Sequence, residues 1–350
     1  MGPRVFTINL LGDNETYFPG SVIEGNVVLE LSKPKVMKRL EIVLTGNAYV
    51  HWTEEKTTGT GDNKRTETVH YSAADSFFED MTVHLWGNGS DSEEMAAGEH
   101  EFPFRFQLPT DGRLPSSYES GFGTTGYIRY TLKAAIVRSG LKLNHNTKRI
   151  INVNEIVDVN KPWLTSPLSK SKEKTLCCLW CASGPLTLSA TIDRGAYCPG
   201  ESISISTEAD NHSNRRVNSV RATLKQVVAM FAGGKSRGHT KNIERIEDIG
   251  IEAHGSSNWS NKLLLVPSTI PTIDILSCYI LTVSYVLTIT LGIPRAIDLH
   301  VEIPLKIGNV PYNGEPAAES GFTTTTRDAL HDSSALPYLL NQLTSLSSTY

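Results

Sequence analysis

Cysteine is scarce in this chain: five in 350 residues, at 177, 178, 181, 198 and 278, with none in the first half. A small secreted scaffold stapled by disulfides carries an even and denser set, so that class is excluded and a reducing compartment is expected. A basic excess is also missing, since 33 Lys and Arg stand against 37 Asp and Glu for a net charge of −4. A general nucleic-acid binder normally shows a positive surplus, so nucleic acid is not an expected partner. The opening Met1-Gly-Pro-Arg-Val-Phe has no apolar run and does not read as a secretory signal. There is no G-x-S-x-G elbow, no H-E-x-x-H pair and no kinase set, and no histidine has a nucleophile that spacing supports. The expectation is a protein that is not an enzyme and holds no cofactor.

Helical patterning is lacking as well. No long window places apolar residues at helical spacing with caps at its ends. The one uncharged run long enough to suggest a membrane span, Ile275–Ile293, alternates instead. From Tyr279 its odd positions are Tyr, Leu, Val, Tyr, Leu, Ile, Leu and Ile, and its even positions are mostly Thr, Ser and Gly. A period of two rich in β-branched and aromatic residues predicts a half-buried strand. The same texture recurs at 27–31, 40–44, 102–106, 128–132, 203–205 and 299–303, with Pro, Gly, Asn and Asp between the runs. The chain therefore reads as all-β, built from antiparallel sandwiches.

An internal repeat divides it. Tyr17-Phe-Pro-Gly20 returns as Tyr197-Cys-Pro-Gly200, and the displacement of 180 holds through Ile23 and Ile203, Leu44 and Leu224, and Val50 and Met230. Farther on, Ile128-x-Tyr130-x-Leu132 matches Val283-x-Tyr285-x-Leu287 at a displacement of 155, so the second copy has shorter loops. In each Pro-Gly pair, Pro fixes φ at the first central turn position and Gly accepts the positive φ that a type II turn needs next. The expected organisation is a sandwich over 1–160, a hinge over 161–180, a second sandwich over 181–310 and a mobile, Ser- and Thr-rich tail over 311–350. Charge follows these blocks: the first 160 residues carry −5, residues 161–310 carry +4, and the rest carries −3. The middle block is the part expected to meet an anionic surface.

Several segments resemble the α-arrestins, the arrestin-domain-containing proteins. They are Tyr17-x-Pro-Gly20 with Gly25-Asn-Val27; Ala48-Tyr-Val-His-Trp52-Thr-Glu54; Gly98–Pro109; Leu114-Pro-Ser-Ser; Gly126-Tyr-Ile-Arg-Tyr130; Lys172–Cys178; Cys181-Ala-Ser-Gly-Pro185; and Ile303-Pro-Leu-Lys-Ile-Gly308. The resemblance covers about residues 5–310 in family order. It implies two tandem arrestin-like sandwiches of immunoglobulin type in a cytoplasmic adaptor recruited to the plasma membrane or endosomes. Such an adaptor would bind the cytosolic tails of membrane proteins and direct their ubiquitination, endocytosis and endosomal trafficking. α-Arrestin tails usually carry Pro-Pro-x-Tyr motifs for a WW-containing ubiquitin ligase. Here only Val310-Pro-Tyr312 and Leu336-Pro-Tyr338 stand in the tail, each with one proline and no spacer. A ligase would then arrive through another partner, or the function would be sorting without a ligase. Two other classes compete with the adaptor: a structural coat subunit of an endosomal sorting complex, and a redox-responsive regulator using Cys178 and Cys181.

Three groups of residues carry candidate chemistry. Arg129 and Lys133 lie on the strand face opposite Ile128 and Tyr130, where a concave sheet could accept an acidic or phosphorylated peptide. The competing reading is a strand arginine paired to an acid across the sheet. Lys235, Arg237 and Lys241 fall on an expected hairpin tip that could touch anionic lipid; a plain solvated loop is the alternative. The preceding Gly233-Gly lacks the first glycine and the following helix of a phosphate loop. Cys177, Cys178 and Cys181 could be inert, metal-binding, lipidated or redox-active.

Overall fold

The structure, a computed structural model, describes residues 2–12, 16–59, 64–121, 125–139, 144–178 and 181–314, and at 177, 178 and 181–183 the backbone alone. The sequence-derived tail beyond 314 lies outside the described residues. Nearly everything described is strand or turn, numbered here in chain order. The first sandwich sets a three-stranded sheet, β1 (Val5–Leu10), β3 (Val22–Leu31) and β9 (Gly98–Gln107), against a larger one. The larger sheet runs β2 (Thr16–Tyr17), β12 (His145–Val153), β11 (Thr125–Val137), β5 (Arg39–Thr58) and β6 (Arg65–Ser76). β10 (Tyr118–Glu119) joins β11, and β7 (Met81–Trp86) joins β5. A two-stranded ribbon pairs β4 (Lys35–Met37) with β8 (Glu93–Met95).

The second sandwich repeats the plan. One sheet orders β13 (Leu168–Cys178), β14 (Cys181–Ile192), β16 (Ser202–Asn211) and β19 (Ser256–Leu265). The other orders β15 (Ala196–Tyr197), β21 (Leu299–Ile307), β20 (Leu281–Gly292), β17 (Val217–Ala232) and β18 (Lys235–Ile251). Part of the segment expected as hinge is thus strand: β13 pairs with β14 from Leu168 to Ile192, so the irregular connection is shorter than 161–180.

Alternation decides which side chains enter each core, because successive residues of a strand point to opposite faces. On β11, Ile128, Tyr130, Leu132, Ala134 and Ile136 are buried while Arg129, Thr131 and Lys133 face outward. On β20, Leu281, Val283, Tyr285, Leu287, Ile289 and Leu291 are buried, so the uncharged run is a core strand. Among the described residues no helix is long and apolar enough to cross a membrane. The strand begins at Leu281, not at Tyr279, which is 55% exposed.

The repeat is visible atom by atom. Gly20 and Gly200 adopt φ of 81° and 91°, and the turns close through Ser21 N–H to Phe18 O (2.9 Å) and Glu201 N–H to Cys198 O (3.1 Å). Tyr17 O accepts from Asn154 N–H and Tyr197 O from Gly308 N–H, both at 2.9 Å. Tyr130 Oη donates to Pro115 O (2.8 Å), as Tyr285 Oη does to Ile270 O (2.7 Å). Tyr285 Oη also meets Gln226 Nε2 and Thr269 Oγ1, each at 2.9 Å. Removing a buried hydroxyl leaves its partners unsatisfied, at about 1–2 kcal/mol for one carbonyl. Tyr130→Phe should cost that much in a urea titration of the full chain, and Tyr285→Phe, which breaks three hydrogen bonds instead of one, should cost more. Equal costs would show that the second network is not held as described.

Candidate functional site

The outer face of β11 and β12 is built by register. β12 pairs with β11 from His145 to Ile151, then leaves it, and Asn152 and Val153 pair in parallel with β2. β10 takes the vacated side of β11, with Tyr118 opposite Ile128. The split opens a groove of about 790 Å³ whose lining includes Leu10, Tyr17, Tyr118, Arg129, Arg149 and Ile150.

Arg129 and Lys133 share this face, about 13 Å apart along the strand at 3.3 Å per residue. They differ in electrostatic state. The Arg129 guanidinium pairs with both carboxylate oxygens of Glu119 (Nη2 to Oε2 2.8 Å) and stacks 3.8 Å over the Tyr127 ring. Its pairing with Glu119 holds it more firmly protonated than usual. The cross-sheet ion pair considered from sequence is therefore what Arg129 forms. Lys133 is exposed and stands directly opposite Lys148 of β12. Among the described residues neither lysine has a carboxylate within ion-pair distance. Like charges opposed across strands are destabilising, so this pair keeps unspent attraction for an anion. Lys148 and Glu119 escaped sequence reading because neither β10 nor the pairing of β12 is visible in a two-residue strand or an irregular alternation.

The β17–β18 hairpin tip lies against the first sandwich. Gly233 and Gly234 turn the chain with φ of 56° and 71°, close to Tyr71 of β6. Arg237 Nη1 donates to Thr53 O (3.1 Å), and Lys235 Nζ is 3.9 Å from Glu54. Of the three basic residues expected at a membrane-facing tip, two are turned toward the neighbouring sandwich; Lys241 is exposed. The cysteine cluster sits at the β13–β14 hairpin, where Cys178 pairs with Cys181 through the backbone; its side chains lie outside the described residues. Cys198 and Cys278 are buried free thiols, and burial pushes Cys198 up to about 12 and Cys278 upward as well. Among the described residues no three metal-ligating side chains come together.

Polar contacts fasten the two sandwiches to each other. Arg113 forms two hydrogen bonds to Asp75 (2.6 and 3.1 Å) and lies 4.1 Å over the ring of Tyr279 from the second sandwich. Tyr279 N–H points at Asp75 Oδ2 from 3.4 Å. Glu155, just past β12, accepts from Ser277 Oγ at Oε1 (2.7 Å), and its Oε2 is buried without a hydrogen bond among the described residues. Burial, reinforced by Asp274, lifts the Glu155 carboxyl above its ordinary range against the opposing pull of Ser277, Lys306 and Lys161. A carboxyl raised in the folded state makes that state bind protons more readily than the unfolded chain. Stability is therefore lost as pH rises from the ordinary carboxylate range through the raised value. Glu155→Gln should raise the urea midpoint at pH 7 and change it little at pH 4.5. The same shift at both pH values would contradict a charged, desolvated Glu155.

Comparison with known proteins bears on this arrangement. Residues 6–160 match the family model for "Arrestin (or S-antigen), N-terminal domain", and residues 182–312 match that for "Arrestin (or S-antigen), C-terminal domain". Arrestin domain-containing protein 4 of Homo sapiens is 32% identical over 324 residues, covering 92% of this chain and 75% of that protein. The Mus musculus protein of the same name is 32% identical over 323 residues, 89% and 74% of the two chains. Thioredoxin-interacting protein of Homo sapiens is 29% identical over 310 residues, 87% and 74%.

Proposed function

The chain belongs to the arrestin family, in its α-arrestin branch, and from that premise we propose an adaptor that binds an anionic segment in the cytosolic tail of a membrane cargo protein. Members of the family are generally non-catalytic adaptors. The cargo so held would be passed to ubiquitination, endocytosis and endosomal sorting, with the adaptor moving from the cytoplasm to the plasma membrane or endosomes.

The observation that carries this reading is the uncompensated Lys133–Lys148 pair beside the groove at β10. Two ammonium groups on neighbouring strands offer charge-assisted hydrogen bonds to carboxylate or phosphate, and the groove beside them supplies apolar contact at Leu10 and Ile150. Arg129 extends the basic stripe once an incoming anion takes the place of Glu119. Lys235 and Arg237 are drawn toward the first sandwich, by Glu54 at 3.9 Å and the Thr53 carbonyl, and so are less well placed for lipid contact than Lys241; peptide recognition is the favoured role.

Fluorescence anisotropy of a labelled acidic peptide with the full chain tests the proposal. Lys133→Glu with Lys148→Glu should weaken binding at least about tenfold, since each charge-assisted bond is worth about 1.5–3 kcal/mol. Glu119→Gln should tighten it, by freeing Arg129. Unchanged affinity in the double variant removes this face from the account.

A further inference from the structure

The last described residues are not a loose exit from the second sandwich. Beyond β21 the chain runs alongside the connector between the sandwiches, in parallel, with a bridge between Asp158 and Val310. Asn309 Nδ2 donates to Glu155 O (2.7 Å), Asn309 Oδ1 accepts from Val157 N–H (2.9 Å), and Asn309 N–H donates to Val157 O (3.0 Å). Two residues on, Asn160 closes both sides of the segment: its Nδ2 donates to Pro311 O (2.9 Å) and its Oδ1 accepts from Asn313 N–H (2.8 Å).

Tyr312 then plugs a socket. Its ring packs on a small separate core of Val159, Ala196 and Cys198, beside Leu164. The Arg194 guanidinium lies between the rings of Tyr312 (4.2 Å) and Tyr197 (4.5 Å) and is only 6% exposed. Glu201 holds Arg194 Nη2 at 3.0 Å and also receives the Tyr312 N–H at 3.1 Å. A cation enclosed by two aromatic faces is worth more than an exposed one, because water does not compete for it.

We propose that Asn309–Asn313 is a strap that ties the start of the tail to the inter-sandwich connector, with Tyr312 as its latch. Seated, it fixes the backbone of 155–160, and through Glu155 and Ser277 that backbone is tied to the junction itself. Unseated, by pulling or by a partner taking hold of the chain after 313, it frees the connector and loosens the junction. Binding at the tail and the placement of the two sandwiches thereby become coupled. Val310-Pro-Tyr312 is correspondingly occupied, and a partner reading that segment must first unlatch it.

Hydrogen exchange followed by mass spectrometry on the full chain tests the strap. Tyr312→Ala should speed exchange in both 309–313 and 155–160 by about tenfold or more, the order expected for losing an enclosed cation–π contact. β11 and β20 should exchange as before. Asn160→Ala, which removes both side-chain bonds to the strap and a third to Asp158 without touching the socket, should speed exchange in 309–313 as well, so that the effect on 155–160 is read from Tyr312→Ala. Tyr312→Phe keeps the ring over Arg194 and should restore protection. Faster exchange confined to 309–313, with 155–160 unmoved in Tyr312→Ala, would overturn the coupling. So would a loss of protection in Tyr312→Phe equal to that in Tyr312→Ala.

Discussion

Met230 and Leu281 of the second sandwich pack against bare backbone at Gly126 of the first, and the buried residues of both sandwiches thereby form one apolar cluster. A Cβ at Gly126 would sit 2.7 Å from the Met230 sulfur, so the absence of a side chain is what lets the sheets approach. Apolar burial is non-directional, and by itself it would let the two halves slide. Directional contacts fix the register: Arg113 with Asp75 and Tyr279, Arg237 with Thr53, and Glu155 with Ser277. The groove at β10 and the latch at Tyr312 are both placed relative to this joint.

Much of the fold is legible in the sequence. Strict alternation on β11 and β20 named their buried rows, since a one-residue slip would expose every core side chain. The Tyr-x-Pro-Gly turns and the two displacements, 180 and 155, located the equivalent strands of each copy. The boundary at the hinge was less legible. Leu168–Cys178 is polar along much of its length, as an edge strand is, and such a strand resembles a linker in composition. Tyr279 keeps the period of the strand that follows, yet it lies outside β20 and its ring serves Arg113 instead.

The shared outer face of Arg129 and Lys133 was legible, but not the charge state of either. Alternation placed Arg129 and Lys133 on one face, and the structure agrees. Whether each charge is spent depends on the neighbouring strands: Glu119 lies ten residues from Arg129 across a two-residue strand, and Lys148 meets Lys133 only through the β11–β12 register. Spacing within one strand carries no such information. The basic tip at 235–241 shows the same limit, because its neighbours Thr53 and Glu54 lie some 180 residues away. A basic tip that reads as free in the sequence is partly turned toward the joint.

Hydrogen exchange of the full chain with and without a saturating acidic peptide locates the bound face directly, without altering a residue. The account predicts new protection concentrated on β11, β12 and the groove wall at β10, with the second sandwich unchanged. Protection on β13–β19 alone, or none anywhere at a concentration where anisotropy reports binding, would contradict an adaptor face on the first sandwich.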